Sequence, residues 1–431
     1  MKKDKVRVGL LGFGVVGTGT YKVLQDNFHA IKNQVGAEVV IEKILVRDLS
    51  RKRAISVPDG LLVSNPDDIL ENEDIDIIVE LMGGEEPAYS YIMKAFKKGK
   101  HVVTANKELM AKRGGELLKT ADDKGLALGF EASVCGGVPI IRAFKRSLAT
   151  DKVNRIMGIV NGTTNYILTK MAEEGSEYED ALKEAQENGY AEADPTADVE
   201  GYDAAYKMAI LASIGFHTKV DINKVSREGI SGIGKRDIEY GKDLGWTIKL
   251  LGIAQEIDGK IEVGVSPVML PSEHPIALIN GVNNAVFVNS EAVGELMFYG
   301  PGAGQMATGN SVASDIIEAA RQIVLGNKML PNCSCFETKN FIDEVESCYY
   351  IRLDVINQPG VLSKISGIFG EYQVSLESVL QKKTEGERAE IVWITSKVKE
   401  KDFRKSIESI KSLDIVNEIC SIIRVEGNGV D

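Results

Sequence analysis

The sequence predicts an α/β protein that begins with a doubly wound parallel sheet, continues with an α+β domain and ends in a small βαββαβ domain. Strand and helix patterns alternate through the first third of the chain, as a doubly wound sheet requires. A glycine-rich turn, Gly12-x-Gly14-x-x-Gly17, directly follows the first apolar strand. The 431 residues are enough for two or three domains that each bury a core.

The first domain is expected to cover residues 1–140 and to bind a dinucleotide. Residues 6–11 form an apolar strand, and a helical pattern follows the glycine-rich turn. This order is typical of a Rossmann-type domain, in which Gly12 permits the tight turn, Gly14 admits the pyrophosphate and Gly17 lets the helix pack on the strand. A glycine-rich turn without a ligand is the alternative. The turn residues expected at the cofactor are Gly12, Phe13, Gly14, Val15, Val16 and Gly17.

The end of the second strand, residues 38–46, bears on the choice of coenzyme. An acidic residue there usually binds the ribose 2′-hydroxyl of NAD, whereas an arginine accommodates the 2′-phosphate of NADP. Arg47 comes first, Asp48 follows, and further basic residues occupy positions 51–53. We therefore expect NADP, with NAD possible. The alternative is a set of solvated loop charges.

Three more strands complete the first sheet, at residues 74–81, 100–104 and 125–130. Ligands of doubly wound sheets bind beyond the carboxyl ends of the strands. The residues at these ends that we expect to face the cofactor or substrate are Gly83, Thr104 and Lys107.

The middle domain, residues 141–310, contains the segment with the most chemical information. Five carboxylates precede Lys207, and Asp203 lies four residues before it, on the same helical face. The helix that they open is apolar nearly all round, and buried Lys and Asp side chains are rare unless they are paired or used. Such a site suits a small ligand with an ammonium group and a group that exchanges a proton; the alternative is a solvated surface pair. The five carboxylates are Glu192, Asp194, Asp198, Glu200 and Asp203.

The remainder of the middle domain is predicted to be rich in strands. A strand at residues 155–160 ends in a polar turn at 161–166, and residues 249–298 look like a sheet of their own. A glycine-rich loop at 299–304 then leads to a helix at 311–326. This helix is expected to return to the first domain, because the loop before it is well placed to touch the cofactor.

Composition excludes several functional classes. The net charge of −12 argues against a nucleic-acid surface. No apolar run approaches the length of a membrane span, and the first residues lead into a strand instead of a signal sequence. The five cysteines are scattered, and neither they nor the four histidines have the spacing of metal ligands. We expect a cytoplasmic protein without a structural zinc site.

Residues 5–330 resemble homoserine dehydrogenase, a family that reduces L-aspartate 4-semialdehyde to L-homoserine on the route to threonine and methionine. The segments that carry the resemblance are residues 12–17, 104–107, 131–134, 161–166, 189–207 and 300–304. The resemblance implies that Lys207 is the proton donor and that Lys107 is a second essential lysine near the nicotinamide. The residues that it places at the substrate are Gly189, Glu192, Asp198 and Asp203, and it adds Gly302 to the cofactor site.

The resemblance also implies a bound monovalent cation and an oligomer. The family holds the cation, usually sodium, at a turn that matches Glu131, Val134, Gly136 and Val138. We expect a homodimer or a homotetramer, with the middle domain contributing to dimerisation.

Residues 348–425 resemble an ACT domain, a ferredoxin-like amino-acid-sensing module, and residues 331–347 look like the linker to it. The predicted order is βαββαβ, with Asn-x-Pro-Gly-Val-Leu at the first turn. A separate regulatory module that binds a pathway amino acid, most simply threonine, is the expectation; a purely structural appendage is the alternative. The expected effector residues are Asn357, Pro359, Gly360, Val361 and Leu362.

Two other functions remain open from the residues. A phosphorylating semialdehyde dehydrogenase would need a cysteine nucleophile, for which Cys135 beside two glycines is the only candidate. A non-catalytic amino-acid sensor would keep the nucleotide fold without chemistry. The presence of both Lys107 and Lys207 argues against the sensor.

Overall fold

The first domain is built on a parallel six-stranded sheet. A computed structural model describes residues 3–326 and 338–427 of the chain. The sheet has the order β3-β2-β1-β4-β5-β6, and all its strand pairs are parallel. This confirms the predicted doubly wound sheet. Its strands are β1 Lys5–Leu11, β2 Glu38–Leu45, β3 Leu62–Val63, β4 Ile77–Glu80, β5 His101–Thr104 and β6 Leu128–Gly129.

Helices cover both faces of this sheet because its strands are apolar on both sides, as parallel sheets require. One face packs against α1 and α2, and the other against α3, α4 and α5. These helices are α1 Val15–Asp26, α2 Phe28–Val35, α3 Asp67–Leu70, α4 Ala88–Lys97 and α5 Lys107–Lys124.

The middle domain contains six further helices. One of them, α10 (Tyr202–Gly215), is largely buried. This helix has ten buried residues among fourteen, as its apolar sequence predicted. The expected polar turn at 161–166 is instead the start of a helix, because the side chain of Asn161 accepts a hydrogen bond from the N–H of Thr164 and caps it. The helices are α6 Ile140–Arg142, α7 Gly162–Glu174, α8 Tyr178–Glu187, α9 Thr196–Val199, α10 Tyr202–Gly215 and α11 Lys235–Asp243.

A long helix, α12 (Gln305–Leu325), returns to the first domain and packs along α1. It begins at Gln305 rather than at the expected residue 311. The two helices come close because glycines face each other: a Cβ on Gly309 would lie 2.5 Å from the carbonyl carbon of Gly19. This contact places the loop before α12 at the edge of the nucleotide-binding sheet.

The second sheet has eleven strands and differs from the sheet predicted for residues 249–298. Residues 249–298 do not form a sheet of their own, because β7 pairs with both β9 and β11. The main order is β12-β11-β7-β9-β10-β17-β13-β15-β14, with β8 beside β10 and β16 beside β13. Its strands in the middle domain are β7 Val153–Ile159, β8 Ser226–Arg227, β9 Trp246–Ile257, β10 Lys260–Pro271, β11 Asn283–Ser290 and β12 Gly294–Pro301.

The C-terminal βαββαβ domain has a hydrophobic core of its own, as expected of a separate module, but its strands also continue this sheet. Val268 and Met269 of β10 pair in parallel with Arg424 and Val425 of β17. Two helices, α13 Val361–Glu371 and α14 Glu400–Lys411, pack on one face of the C-terminal strands. These strands are β13 Glu346–Ile356, β14 Leu376–Glu385, β15 Arg388–Thr395, β16 Val398–Lys399 and β17 Val416–Val425.

The described part of the expected linker also packs against the middle domain. Residues 327–337 lie outside the described part of the chain, so the linker prediction at 331–347 is described only from residue 338. There, the N–H of Ile261 donates to the carbonyl of Asn340, and the N–H of Ile342 donates to the carbonyl of Ile261. In the ranges 3–326 and 338–427, no helix is both long and apolar enough to cross a membrane.

Candidate active site

The glycine-rich turn borders a cavity of about 790 Å³ at the carboxyl end of the parallel sheet. Gly12 has a φ of 110°, and a Cβ there would lie 2.9 Å from the carbonyl of Leu81. A Cβ on Gly17 would lie 2.6 Å from the carbonyl of Gly12, so both positions need glycine. Nothing lies within 4 Å of the corresponding point at Gly14, which leaves open space at the start of α1. A dinucleotide pyrophosphate fits this cradle.

Basic side chains line the same cavity where β2 ends. Arg47 makes no hydrogen bond or ion pair with any other described residue. The carboxylate of Asp48 accepts hydrogen bonds from the N–H and hydroxyl of Ser50, at 2.8 and 2.6 Å, and these bonds hold the pKa of Asp48 below its ordinary value. The carboxylate is thus held by its own turn, whereas the guanidinium of Arg47 is available to a ligand. The other basic residues on this wall are Arg51, Lys52 and Arg53.

A buried carboxylate that we did not predict, Glu80, organises the next two loops. One of its oxygens accepts the N–H groups of Met82 and Gly83, and the other accepts the hydroxyl of Thr104 at 2.6 Å. Thr104 in turn accepts the N–H of Asn106, the residue that caps α5. Gly83 lines the cofactor cavity, whereas Thr104 lies behind it and fixes the start of α5. The sequence did contain a signal for this role, because Glu80 is an acidic residue at the end of an apolar strand.

The centre of the candidate site is a single buried carboxylate between two lysines. Asp203, in the first turn of α10, is 4% exposed. Its Oδ2 accepts a hydrogen bond of 2.6 Å from the Nζ of Lys207, one turn later on the same helix. Its Oδ1 forms an ion pair with Lys107, which is the first residue of α5 in the nucleotide-binding domain. The two lysines predicted from the sequence therefore meet at one carboxylate between the two domains.

This arrangement sets the charges of the cluster. Burial by itself would raise the pKa of the Asp203 carboxyl, but the Lys207 and Lys107 ammoniums outweigh it and hold that pKa far below the ordinary value. Burial would lower the pKa of Lys207, but the Asp203 carboxylate outweighs it and raises that pKa above the ordinary value. The second hydrogen bond of Lys207 goes to the carbonyl of Val160, at 2.7 Å. Lys207 is therefore charged and fixed in position at neutral pH.

Asn161, at the end of β7, links the cluster to a second carboxylate. Its side-chain amide donates to Asp203 at 2.9 Å and to Asp198 at 2.7 Å. The hydroxyl of Thr163 also donates to Asp198, at 3.1 Å. Sequence reasoning assigned no role to Asn161, although an asparagine between a strand and a polar segment is a usual helix cap.

The other carboxylates of the 189–207 segment do not join this cluster. Asp194 accepts from the N–H and hydroxyl of Thr196, and Glu200 accepts from the hydroxyl of Ser231. Glu192 is exposed, and its carboxylate has no hydrogen-bond partner in the described part of the chain. Gly189 has a φ of 73°, at the end of α8. The structure thus brings together two of the five carboxylates, Asp198 and Asp203.

A tight buried turn follows β6, at the position where the resemblance placed a cation. Cys135 and Gly136 both have positive φ, and a Cβ on Gly136 would clash with the carbonyl of Gly302. The carboxylate of Glu131 is occupied by the N–H groups of Ile141 and Arg142, at 2.9 and 2.8 Å. Burial raises the pKa of this carboxyl to about 7. The oxygen donors left to a cation in this turn are therefore the backbone carbonyls and the Ser133 hydroxyl.

Asn284 is an unexpected polar residue beside this turn. It is 1% exposed and packs over Gly302, and within the described ranges the only polar partner of its amide is the thiol of Cys135. A thiol is a weak hydrogen-bonding group, so a buried amide with this partner alone is costly unless a ligand, ion or water also satisfies it. Nothing in the sequence distinguishes Asn284 from other strand residues.

The thiol of Cys135 is unsuited to nucleophilic catalysis. The residue is fully buried, and burial raises the pKa of its thiol to about 11. A cysteine nucleophile needs a lowered pKa, because the thiolate is the reactive form. The site therefore disfavours a cysteine-dependent mechanism.

A smaller cavity of about 340 Å³ lies at the first turn of the C-terminal domain. Gly360, with a φ of 93°, precedes α13 there. The five residues predicted to bind an effector all line it: Asn357, Pro359, Gly360, Val361 and Leu362.

Comparison with known proteins assigns the chain to a family. Residues 12–131 match the model for the homoserine dehydrogenase NAD-binding domain, residues 139–317 the homoserine dehydrogenase model and residues 349–414 the ACT domain model. A homoserine dehydrogenase of Bacillus subtilis is 46% identical over 98% of this chain and 99% of its own length. A crystal structure of a homoserine dehydrogenase from Thiobacillus denitrificans has a TM-score of 0.94 at 39% identity, covering 99% of both chains.

A shorter relative is also similar. A hyperthermophilic archaeal homoserine dehydrogenase, solved in complex with NADPH, has a TM-score of 0.62 at 28% identity and covers 73% of this chain and 97% of its own. The long matches confirm the resemblance predicted from the residues and rule against the cysteine-dependent enzyme and the non-catalytic sensor. The chain belongs to the homoserine dehydrogenase family, with an NAD(P)-binding domain and a C-terminal ACT domain.

Proposed function

We propose that the protein catalyses the reversible, NADPH-dependent reduction of L-aspartate 4-semialdehyde to L-homoserine, with Lys207 as the proton donor. The observation that carries this proposal is the buried Asp203 carboxylate between Lys207 and Lys107, where the nucleotide-binding and middle domains meet. When bound, the nicotinamide supplies the hydride. The chemistry left to the protein is to hold the aldehyde and to deliver a proton.

Lys207 is suited to that proton transfer. As the aldehyde carbon is reduced, negative charge builds on its oxygen, and a nearby ammonium both stabilises that charge and delivers the proton. Lys207 is 12% exposed and held by two hydrogen bonds, so its orientation is set before the substrate binds. In the reverse direction Lys207 must be neutral to accept the proton, so homoserine oxidation favours alkaline pH.

Lys107 and Asp203 complete the proton-transfer machinery. Lys107 is 44% exposed and comes from the other domain, so it can approach the reacting oxygen from the cofactor side. Asp203 was expected to hold the substrate, but its contacts with both lysines give it a second task, to orient the two lysines and to keep Lys207 charged.

Asp198 is the better-supported partner for the α-ammonium group of the substrate. Its hydrogen bonds come from neutral groups, the Asn161 amide and the Thr163 hydroxyl, and no cation of the described ranges forms an ion pair with it, although Lys207 is near enough to interact with its charge. Glu192 and Gly189 complete our proposed substrate site. The Glu192 carboxylate is exposed and without a partner in the described ranges, and it is thus available to a ligand.

We propose NADP as the preferred coenzyme, with NAD tolerated. The unpaired Arg47 guanidinium and three further basic side chains line one wall of the cavity and would hold the 2′-phosphate of NADP. The related archaeal enzyme that was solved with NADPH supports the same preference.

A monovalent cation, sodium in our proposal, fits the turn at residues 131–138. With the Glu131 carboxylate occupied, the donors would be the carbonyls of Glu131, Val134, Gly136 and Val138, a neutral set that suits a singly charged ion. The unsatisfied amide of Asn284 nearby is consistent with a polar guest. The cation would stiffen the loop that packs against Gly302.

The C-terminal domain is proposed to bind threonine at the 340 Å³ cavity and to regulate the enzyme as a homodimer or homotetramer. The edge strands β12 and β14 offer unpaired backbone groups for such assembly.

The proposed function is tested by following NAD(P)H absorbance with L-homoserine, with NADP and NAD in parallel. We expect turnover with both coenzymes and a higher kcat/KM with NADP. The absence of homoserine-dependent reduction of either coenzyme by folded protein would refute the proposal.

A further inference from the structure

A third cavity lies between the middle domain and the ACT domain, away from both the active site and the turn before α13. Its volume is about 470 Å³, within the range of small-molecule sites. One side is formed by β8, β10 and the residues after β8, and the other by α14, β13 and β17. A ligand here would touch both domains at once.

Most charged side chains of this interdomain cavity form ion pairs with each other, but three do not. Arg424 forms ion pairs with Glu262 and Glu400, at 3.1 and 3.3 Å, and Arg404 pairs with Glu400. In contrast, within residues 3–326 and 338–427, no hydrogen bond or ion pair engages the side chains of Arg227, Glu228 and Glu408. The cavity therefore presents one cation and two anions that have no ion-pair partner, although Arg424 and Arg404 lie near enough to act electrostatically on Glu228.

The wall between these charges is apolar. The rings of Tyr349 and Phe403 stack with their centroids 3.8 Å apart and nearly parallel. Val265 and Ile407 extend this surface. Such a wall suits a short aliphatic chain that carries charged groups at its ends.

We propose that the interdomain cavity binds an amino acid with a cationic side chain. The α-carboxylate pairs with Arg227, the two cationic groups pair with Glu228 and Glu408, and the aliphatic stem lies on the apolar wall. One carboxylate and two cations complement the three unpaired charges, whereas a simple zwitterion would leave one glutamate unpaired. This ligand and this place differ from those proposed for the turn before α13.

The cavity is connected to the active site through Arg227. Its guanidinium carbon lies 3.5 Å from the ring centroid of Tyr202, the first residue of α10 and the neighbour of Asp203. Gly201, with a φ of 76°, packs so closely that a Cβ there would lie 3.3 Å from the Cγ of Arg227. A ligand that draws Arg227 towards itself changes the packing at the start of the catalytic helix. The effect on homoserine turnover rests on the proposed function; the binding does not.

The test is calorimetric titration of the full chain with three related probes. L-lysine carries all three charges, L-norleucine lacks the side-chain ammonium and cadaverine lacks the carboxylate. We expect L-lysine to bind at least about tenfold more tightly than either analogue, since each loses a charge-assisted pair. Equal affinity for L-lysine and L-norleucine, or no binding of L-lysine at millimolar concentration, overturns the proposal.

Variants then locate the site. Arg227→Gln should bind L-lysine no better than cadaverine, and Glu408→Gln should weaken L-lysine binding at least about tenfold. The matched controls are Arg388→Gln and Glu371→Gln, exposed positions of the ACT domain outside the cavity. L-lysine binding that survives both cavity variants, but is lost in Gly360→Val, assigns the ligand to the other cavity and refutes ours.

The calorimetric test can distinguish a loss of L-lysine binding from a loss of folding or of enzymatic activity. Glu408 is exposed on α14, so Glu408→Gln keeps the test valid even where Arg227→Gln does not fold. Because calorimetry needs no turnover, a protein that binds L-lysine as expected but does not oxidise homoserine would refute only the proposed function.

Discussion

At the scale of single residues, Lys207 is the group on which the proposed chemistry depends. Replacing it with alanine should reduce kcat at least ~100-fold, the usual scale for a general acid, while the affinity for NADP is retained. Steady-state kinetics and coenzyme titration check this outcome. Lys119→Ala, which changes a 75% exposed lysine of α5, is the control. Near-normal turnover in a folded Lys207→Ala protein would show that another group delivers the proton.

Asp203 should control the pH dependence of homoserine oxidation. This direction needs neutral Lys207, and the Asp203 carboxylate raises the pKa of that lysine. In Asp203→Asn, burial remains and lowers the pKa of Lys207, so the alkaline rise in kcat/KM should move to lower pH. Asp194→Asn, in which the lost carboxylate only holds Thr196, should leave the profile in place. If the pH profile of kcat/KM does not move in Asp203→Asn, the group that titrates is not Lys207.

Arg47 should discriminate between the coenzymes. Arg47→Ala removes a side chain that can fork onto the 2′-phosphate, so kcat/KM should fall at least about tenfold more for NADP than for NAD. Arg236→Ala, on the distant helix α11, serves as the control. If Arg47→Ala leaves the ratio of kcat/KM for NADP to kcat/KM for NAD unchanged, Arg47 is an ordinary loop charge.

At the scale of elements, one buried carboxylate joins α11 to the ACT domain. Asp237, with no exposed side-chain surface, accepts hydrogen bonds from Arg352 at 2.7 Å and Tyr350 at 3.2 Å on β13. Asp237→Ala leaves Arg352 partly uncompensated in a buried place, so the free energy of unfolding should fall by about 3–5 kcal/mol. Denaturant unfolding measures this. Asp243→Ala removes an exposed ion pair between α11 and Lys382 on β14 of the ACT domain, and should cost about 1 kcal/mol or less. Equal losses of unfolding free energy in the two variants would contradict the role of Asp237 as a buried link between α11 and the ACT domain.

The elements also show what the sequence could and could not predict. The glycine turn and the Asp203–Lys207 pair were predictable, because each depends on neighbours along the chain. Asn161 was read as part of a turn, since its contacts with Asp198 and Asp203 come from a later segment. The pairing of Val268 with Arg424 has no local signature, so the continuity of the second sheet could not be anticipated.

At the scale of the whole molecule, threonine should act on the full chain through the turn before α13. We expect inhibition of homoserine turnover that corresponds to a coupling of ~1–3 kcal/mol, or a ~5–150-fold change in affinity. Gly360→Val should abolish it, because φ of 93° excludes a β-branched residue. This variant is cleaner than deleting the ACT domain, which would uncover the edge of β10. An enzyme indifferent to threonine would make the domain an assembly device.

The continuity of the eleven-stranded sheet has a consequence for biosynthesis. The strand between β10 and β13 is β17, which is the last described strand to leave the ribosome. Up to that moment the nascent chain can form a nucleotide-binding unit and separate halves of the second sheet, because domains fold as units during synthesis. The junction that links the ACT domain to the catalytic strands forms only afterwards. Translation that stops short of Val416 would therefore release a chain with two unsatisfied sheet edges, which quality control can recognise.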